Sequence, residues 1–117
     1  MRKKSSDHVR ERAARKIAEI RAAVSALEFI CSGTLLERRK VCGKPNCRCA
    51  HDPAARHGPY YEWTRRHRGK LVHRVVTAQQ ARFIHQAIAD HRKILRVLRQ
   101  WERETIRVIE TLESSKR

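Results

Sequence analysis

Aromatic residues are scarce in this sequence: two Trp, two Tyr and two Phe make up 5% of 117 residues. Large aromatic side chains supply much of the buried area of small domains. A chain of this length has room for one domain, and its core must be thin. Acids are scarce as well, 12 Asp and Glu against 28 Lys and Arg, and the formal net charge is +16. A balance so one-sided repels itself in the compact state and attracts polyanions, which bears on partners rather than on fold. Long apolar runs are missing. No stretch of 18 apolar residues occurs, and none follows the basic start MRKKSSDHVRER, so neither a membrane span nor a secretory signal is expected. The expected location is the cytoplasm, on the nucleoid if the partner is DNA. Motifs of common catalytic sites are missing too: there is no G-x-S-x-G, no P-loop and no G-x-G-x-x-G.

What is present is periodic at both ends. Ala13, Ile17, Ile20, Val24, Leu27 and Cys31 follow one another at alternating spacings of four and three. That heptad seam predicts a helix over 6–31, with Ser6 or Asp7 capping its start and Ser32-Gly33 stopping it. Ile84, Ala87, His91, Ile94, Leu98, Trp101, Thr105, Val108 and Leu112 repeat the alternation in a longer helix over 78–114. Thr77 and Gln80 have the form of a capping box at its start. Between the helices, GTLLERRKVC reads as a strand and GPYYEWTRRHRGKLVHRVVT as a hairpin turning at Arg68-Gly69.

The expected fold is therefore α+β, a single domain over 1–117. A small antiparallel sheet of about three strands (33–77) lies between the two helices, which pair as an antiparallel coiled coil. The second helix outruns the first, so its seam from Trp101 to Leu112 is expected to overhang and to seek a second copy of the chain or a helical protein partner.

Three of the four cysteines crowd into CGKPNCRCAHDPAARHGPYY, as C-x4-C-x-C-x7-H through Cys42, Cys47, Cys49 and His57. Clustered thiols in a reducing compartment are metal ligands more often than disulfides. A Cys3His set closes the tetrahedral shell of zinc, and a thin domain needs such a staple. An extended backbone from Cys47 to Cys49 would point both thiolates the same way. His51 is the competing fourth ligand; Asp52 beside it is either a hydrogen-bond acceptor behind the ligands or a solvated loop acid. Cys31 belongs to the helical seam. Zn2+ is the expected cofactor, in a closed site with no open position for catalysis, and the chain is not expected to be an enzyme.

CGKPNCRCA followed by HGPYYEWTRRHRGK, with a strand before and a long polar helix after, resembles an uncharacterised bacterial family of small basic Cys-rich proteins. The resemblance spans roughly residues 33–95 and leaves the Arg-rich N-terminal helix outside. It implies Cys42, Cys47, Cys49 and His57 as ligands, and an occurrence near mobile elements and recombinases.

Half of the net charge falls on residues 33–77, which hold eleven Lys and Arg against three acids. From Arg65 to Arg82 there are six basic residues and no acid. With a two-residue turn, Tyr61, Trp63, Arg65, Val72, Arg74 and Val76 share one face of the hairpin. Tyr60, Glu62, Thr64, Arg66, Leu71, His73 and Val75 share the other, and neither is cleanly polar. The sequence leaves open which face packs on the helices. Cations bind phosphates, aromatic planes stack on bases, and a β-ribbon fits a major groove. The expected function is a zinc-stabilised nucleic-acid-binding accessory protein, with DNA favoured over RNA. The contact residues would be Arg38, Arg39, Lys40, Lys44, Arg65, Arg66, Arg68, Lys70 and Arg74. The alternative is a zinc-stabilised protein-interaction module acting through its helices.

Overall fold

A computed structural model of the chain describes residues 2–112. Residues 113–117, including the expected helix end at 114 and the polar tail, lie outside the described residues, as does Met1. Two helices, α1 (Arg2–Ser25) and α2 (Ala78–Thr111), precede and follow a three-stranded antiparallel sheet of β1 (Thr34–Lys40), β2 (His57–His67) and β3 (Lys70–Val76). The fold is α+β, with the cysteine and histidine cluster beside the sheet. No helix among the described residues is long and apolar enough to cross a membrane. The chain forms two compact units, Ile30–Ala89 and a helical one made of 1–29 with 90–117.

In the first unit β2 is the central strand. The hairpin register is the one the Arg68-Gly69 turn implies: Tyr61 pairs with Val76, Trp63 with Arg74 and Arg65 with Val72. Both turn residues have positive φ, 52° at Arg68 and 81° at Gly69, the twist that a two-residue hairpin needs. On the other side β1 pairs Leu35 with Trp63 and Leu36 with Glu62, and its register slips between Arg38 and Lys40. At that irregularity β2 carries Gly58, with φ 134°, where a Cβ would lie 2.8 Å from the Arg38 carbonyl oxygen. Only glycine fits there.

The core of this unit is Val76, Ala81, Ile84 and Ile88, with Cys31, Leu35, Tyr61 and Trp63 packed against it. The face bearing Tyr61, Trp63 and Val76 is thus the one that meets α2. Trp63 donates its indole N–H to the Ser32 carbonyl at 3.0 Å, satisfying the polar edge of a large apolar ring. The opposite face is open, with Tyr60, Leu71 and Val75 exposed. Helix α2 starts at the expected capping box: Thr77 Oγ1 accepts from Gln80 N at 3.0 Å, and Gln80 Oε1 accepts from Thr77 N at 2.8 Å.

The helices correct several expectations. Helix α1 begins at Arg2 and ends at Ser25, so Ser6 and Asp7 lie inside it and Cys31 lies beyond it. Tertiary hydrogen bonding overrides the heptad pattern: Cys31 N–H donates to the Ala87 carbonyl at 3.2 Å, which commits this stretch to the sheet-bearing unit. Ser6 Oγ donates to the Thr111 carbonyl at 2.6 Å, which sets the start of α1 beside the end of α2. The expected overhang from Trp101 to Leu112 is therefore absent. The ten residues by which α2 exceeds α1 are used instead on the sheet, through Ala81, Ile84 and Ile88. The buried seam of α2 is also displaced by one residue at three points. Val97, Glu104 and Thr111 turn inward, where Leu98, Thr105 and Leu112 were expected and are exposed. Ala13 and Ile20 are buried on α1, and Glu104 is buried on α2. Counting from the Ser6–Thr111 bond, seven residues lead to Ala13 on one helix and to Glu104 on the other. The small Ala13 thus lies level with the longer Glu104.

Candidate metal centre and basic surface

The loop between β1 and β2 is short of regular structure but rich in turns. Cys42 lies two residues past the end of β1, and Cys47 N–H donates to the Lys44 carbonyl at 3.2 Å, closing the Gly43–Asn46 knuckle. Cys47 then caps a 3-10 turn, Arg48–Ala50, that holds Cys49. The pair is therefore presented by a tight turn rather than by an extended backbone, a correction to the sequence expectation. A second 3-10 turn, Pro53–Ala55, reverses the chain, and His57 opens β2 directly opposite Lys40. Asp52 makes that reversal: its Oδ1 accepts from Ala54 N at 3.0 Å and its Oδ2 pairs with Arg48 at 3.1 Å. It is a turn-capping acid, spoken for by these partners.

Cys42, Cys47, Cys49 and His57 bring their donor atoms within 4.8 Å of one another. The Cys42 and Cys49 sulfurs are 3.5 Å apart, and Cys47 Sγ lies 3.4 Å from His57 Nε2. Tetrahedral zinc bonds imply ~3.8 Å between sulfurs and ~3.6 Å between sulfur and nitrogen. The four donors thus fit around one metal ion with only small adjustments. His51 is not in the group. Three soft thiolates and an imidazole are a donor set for a transition metal rather than for calcium or magnesium. Cys49 is buried at 2% exposure, while Cys42 and His57 lie on the surface.

Hydrogen bonds tune the thiols unequally. The Cys49 backbone amide, then the thiols of Cys49 and Cys42, hold the Cys47 thiol below its ordinary range. At Cys49 the Cys42 amide pulls the same way, donating at 3.3 Å. Burial and the neighbouring thiols outweigh it, and the net shift is upward. A bound cation would remove that conflict, because it favours every thiolate at once.

The candidate cations are distributed over both sheet faces. Arg65 and Arg74 lie on the face that meets α2, and the Arg65 guanidinium stacks 5.0 Å from the Trp63 ring. Arg66 lies on the open face and donates to the Gly69 carbonyl at 3.3 Å, with Arg68 and Lys70 beside it at the tip. Arg38 pairs with Glu62 at 3.5 Å, Arg39 reaches the Gly58 carbonyl at 3.5 Å, and Lys40 lies 6.0 Å from the Tyr60 ring. Lys44 is exposed in the knuckle. The nine therefore do not form one patch. Arg38, Lys40 and Arg66 share the open face with Tyr60 and His73, and His73 Nδ1 lies 2.9 Å from Thr64 Oγ1. Tyr60 and His73 were missed as surface residues because neither face of the hairpin is cleanly polar. Val76 carried the missing signal. It precedes the Thr77 cap, so it must lie under the first turn of α2, and the register brings Tyr61 and Trp63 in with it.

A family model described as a domain of unknown function (DUF6788) matches residues 8–83. The match takes in most of α1, which the resemblance read from the cysteine loop leaves out, and it ends inside α2 rather than near residue 95. No curated protein and no solved structure matches the chain.

Proposed function

The chain belongs to this family of unknown function, and from its own residues we propose that it is a zinc-stabilised nucleic-acid-binding protein with duplex DNA as its favoured partner. The metal is zinc, held by Cys42, Cys47, Cys49 and His57. Its part is to pin β1 to β2, where the loop has almost no apolar side chain to do so. A closed Cys3His shell leaves no position for water, so the metal supplies structure and no chemistry. Elemental analysis of the purified protein is expected to give about one zinc equivalent per chain.

The observation that carries the nucleic-acid reading is the state of the cations on the metal-braced sheet. Eight of the nine candidates are exposed, and Arg38 alone has an ion pair among the described residues. Cations left without acids on a rigid frame are what phosphate binding requires, and each phosphate contact releases counterions. Arg66, Arg68 and Lys70 at the hairpin tip are the first contacts; Arg65 is the support that steadies Trp63.

The test is a titration of duplex DNA with the wild type and with an Arg66/Arg68/Lys70→Ala triple variant, at two or more salt concentrations. A protein at +16 binds DNA weakly at low salt whatever its surface, so the slope is informative and the bare affinity is not. The variant is expected to lower the slope of log K against log salt by about 0.9 for each phosphate it no longer neutralises, roughly 3 in all. Equal slopes would remove the hairpin tip from the proposal. Competition with duplex RNA of the same length then ranks the two nucleic acids.

A further inference from the structure

The helical unit buries one seam of α2 and leaves a second apolar stripe open beside it. Leu95, Leu98, Ile106, Ile109 and Leu112 are 42, 47, 45, 58 and 54% exposed. With 3.6 residues per turn, positions 95, 98, 102, 106 and 109 fall within about 80° of one another. Aliphatic side chains so concentrated differ from the single exposed ones that any surface carries. A groove of about 310 Å3 lined by Ala13, Ile17, Val108, Ile109 and Leu112 continues the stripe toward α1.

The order of the stripe identifies its occupant. Its spacings are three, four, four and three, which read the same in either direction about Glu102. From this we infer that the outer flank of α2 is the docking surface for a second copy of this chain, running antiparallel about a two-fold axis at Glu102. In that register Leu95 meets the partner's Ile109 and Leu98 meets the partner's Ile106. The contact is isologous, so it closes at two copies. It spans about 21 Å, from fourteen residues at ~1.5 Å each.

The charges along the stripe favour this orientation over a parallel one. Both orientations set Glu102 against the partner's Glu102, but parallel copies would also set Glu110 level with the partner's Glu110 and each arginine level with itself. Antiparallel copies place Glu110 opposite the partner's position 94, between the partner's Arg92 and the partner's Arg96. Glu102 lies one turn from the partner's Arg99, and the pair recurs across the axis. Flanking charges of this kind set orientation in paired helices.

Sedimentation equilibrium of the full zinc-loaded chain at micromolar concentration should give about twice the monomer mass of 13.8 kDa. Leu98→Glu puts a carboxylate against the partner's Ile106 and should weaken association at least tenfold. Helical circular dichroism should not change, because Leu98 is already half exposed. Register is read by cross-linking. Under mild oxidation Glu102→Cys should form covalent dimers well above the background of the four native cysteines. Arg96→Cys should not, since its two copies would be about 18 Å apart. A wild type that stays at monomer mass overturns the inference. So does a dimer indifferent to Leu98→Glu, or one cross-linked as efficiently through residue 96 as through 102.

Discussion

The two compact units of this protein face the same shortage of large apolar side chains and meet it in different ways. The unit of 30–89 puts two of its four aromatic residues in one place, with Tyr61 and Trp63 packed against Val76, Ile84 and Ile88. Its far end, beyond the reach of that cluster, holds the Cys3His group. Among its described residues the helical unit has neither device. It buries Ala13 and Ile20 on one helix and the carboxylate of Glu104 on the other. One unit concentrates its stabilising contacts at two points, and the other spreads small contacts along two helices. Concentration makes a unit fragile at named residues, whereas a spread seam tolerates single changes.

The sharpest break in the comparison is at the metal centre. Structural zinc contributes ~10–16 kcal/mol in small zinc-dependent folds, as much as the whole stability of an ordinary domain at ~5–15 kcal/mol. Cys47→Ser, or chelation of the wild type, is therefore expected to abolish metal binding and unfold the loop and hairpin. Amide exchange is the measurement. Protection of β1, β2 and β3 should disappear, while α1 and residues 90–111 of α2 keep most of theirs. Equal loss in both units would mean that they do not stand independently.

That contrast also explains which parts were legible in the sequence. The hairpin register could be read because Arg68-Gly69 fixes the pairing locally, and the Cys3His group because three cysteines within eight residues, followed by a histidine, have few readings other than a ligand set. The phase of α2 could not be read. At 97/98, 104/105 and 111/112 the chain offers two neighbours that both suit a seam, and at 104 the buried residue is the charged one. Hydrophobicity alone selects Thr105 there, whereas the structure buries Glu104 to 4% exposure and leaves Thr105 exposed. The end of α1 was hidden for a similar reason, since a hydrogen bond to Ala87 outweighs a heptad that continues to Cys31. The presentation of Cys47 and Cys49 by a 3-10 turn was hidden because C-x-C fits an extended strand as well as a tight turn.

A smaller effect sharpens the account of the helical unit. Glu104 is buried to 4% exposure, and its carboxylate is met by Arg107 Nη1 at 2.9 Å. The arginine side chain is 58% exposed, so the pair itself is worth little against solvent screening. The carboxylate left without it is the larger matter. Arg107→Ala should cost roughly 1–2 kcal/mol, from a buried acceptor deprived of its donor. Glu104→Leu removes the buried charge and keeps a side chain of similar size, so it should be neutral or stabilising by about 1 kcal/mol. Urea midpoints followed by amide exchange on residues 90–111 compare the two. A large loss in Glu104→Leu would show that the carboxylate, not the packing, holds this seam.

The smallest expected effect lies at the edge of the aromatic cluster. Burial pushes the Cys31 thiol above its ordinary range, and its S–H is directed at the Ile84 carbonyl, 4.0 Å away. Ionisation would remove that donor and set a thiolate against a carbonyl oxygen. The group is an acid whose folded pKa is raised, so the native state prefers the protonated form. Its contribution is complete at pH below the unfolded thiol's pKa and is lost as pH rises through the folded one. The wild type should therefore lose stability faster than Cys31→Val as pH is raised through the alkaline thiol range, and the two should run in parallel at neutral pH. Every other titratable group is common to both proteins, so the difference between the curves isolates the one thiol. With metal bound the loop cysteines are thiolates throughout and drop out of it. A difference of the same size at neutral and alkaline pH would mean that Cys31 acts through packing alone, as a small apolar side chain against Ile84.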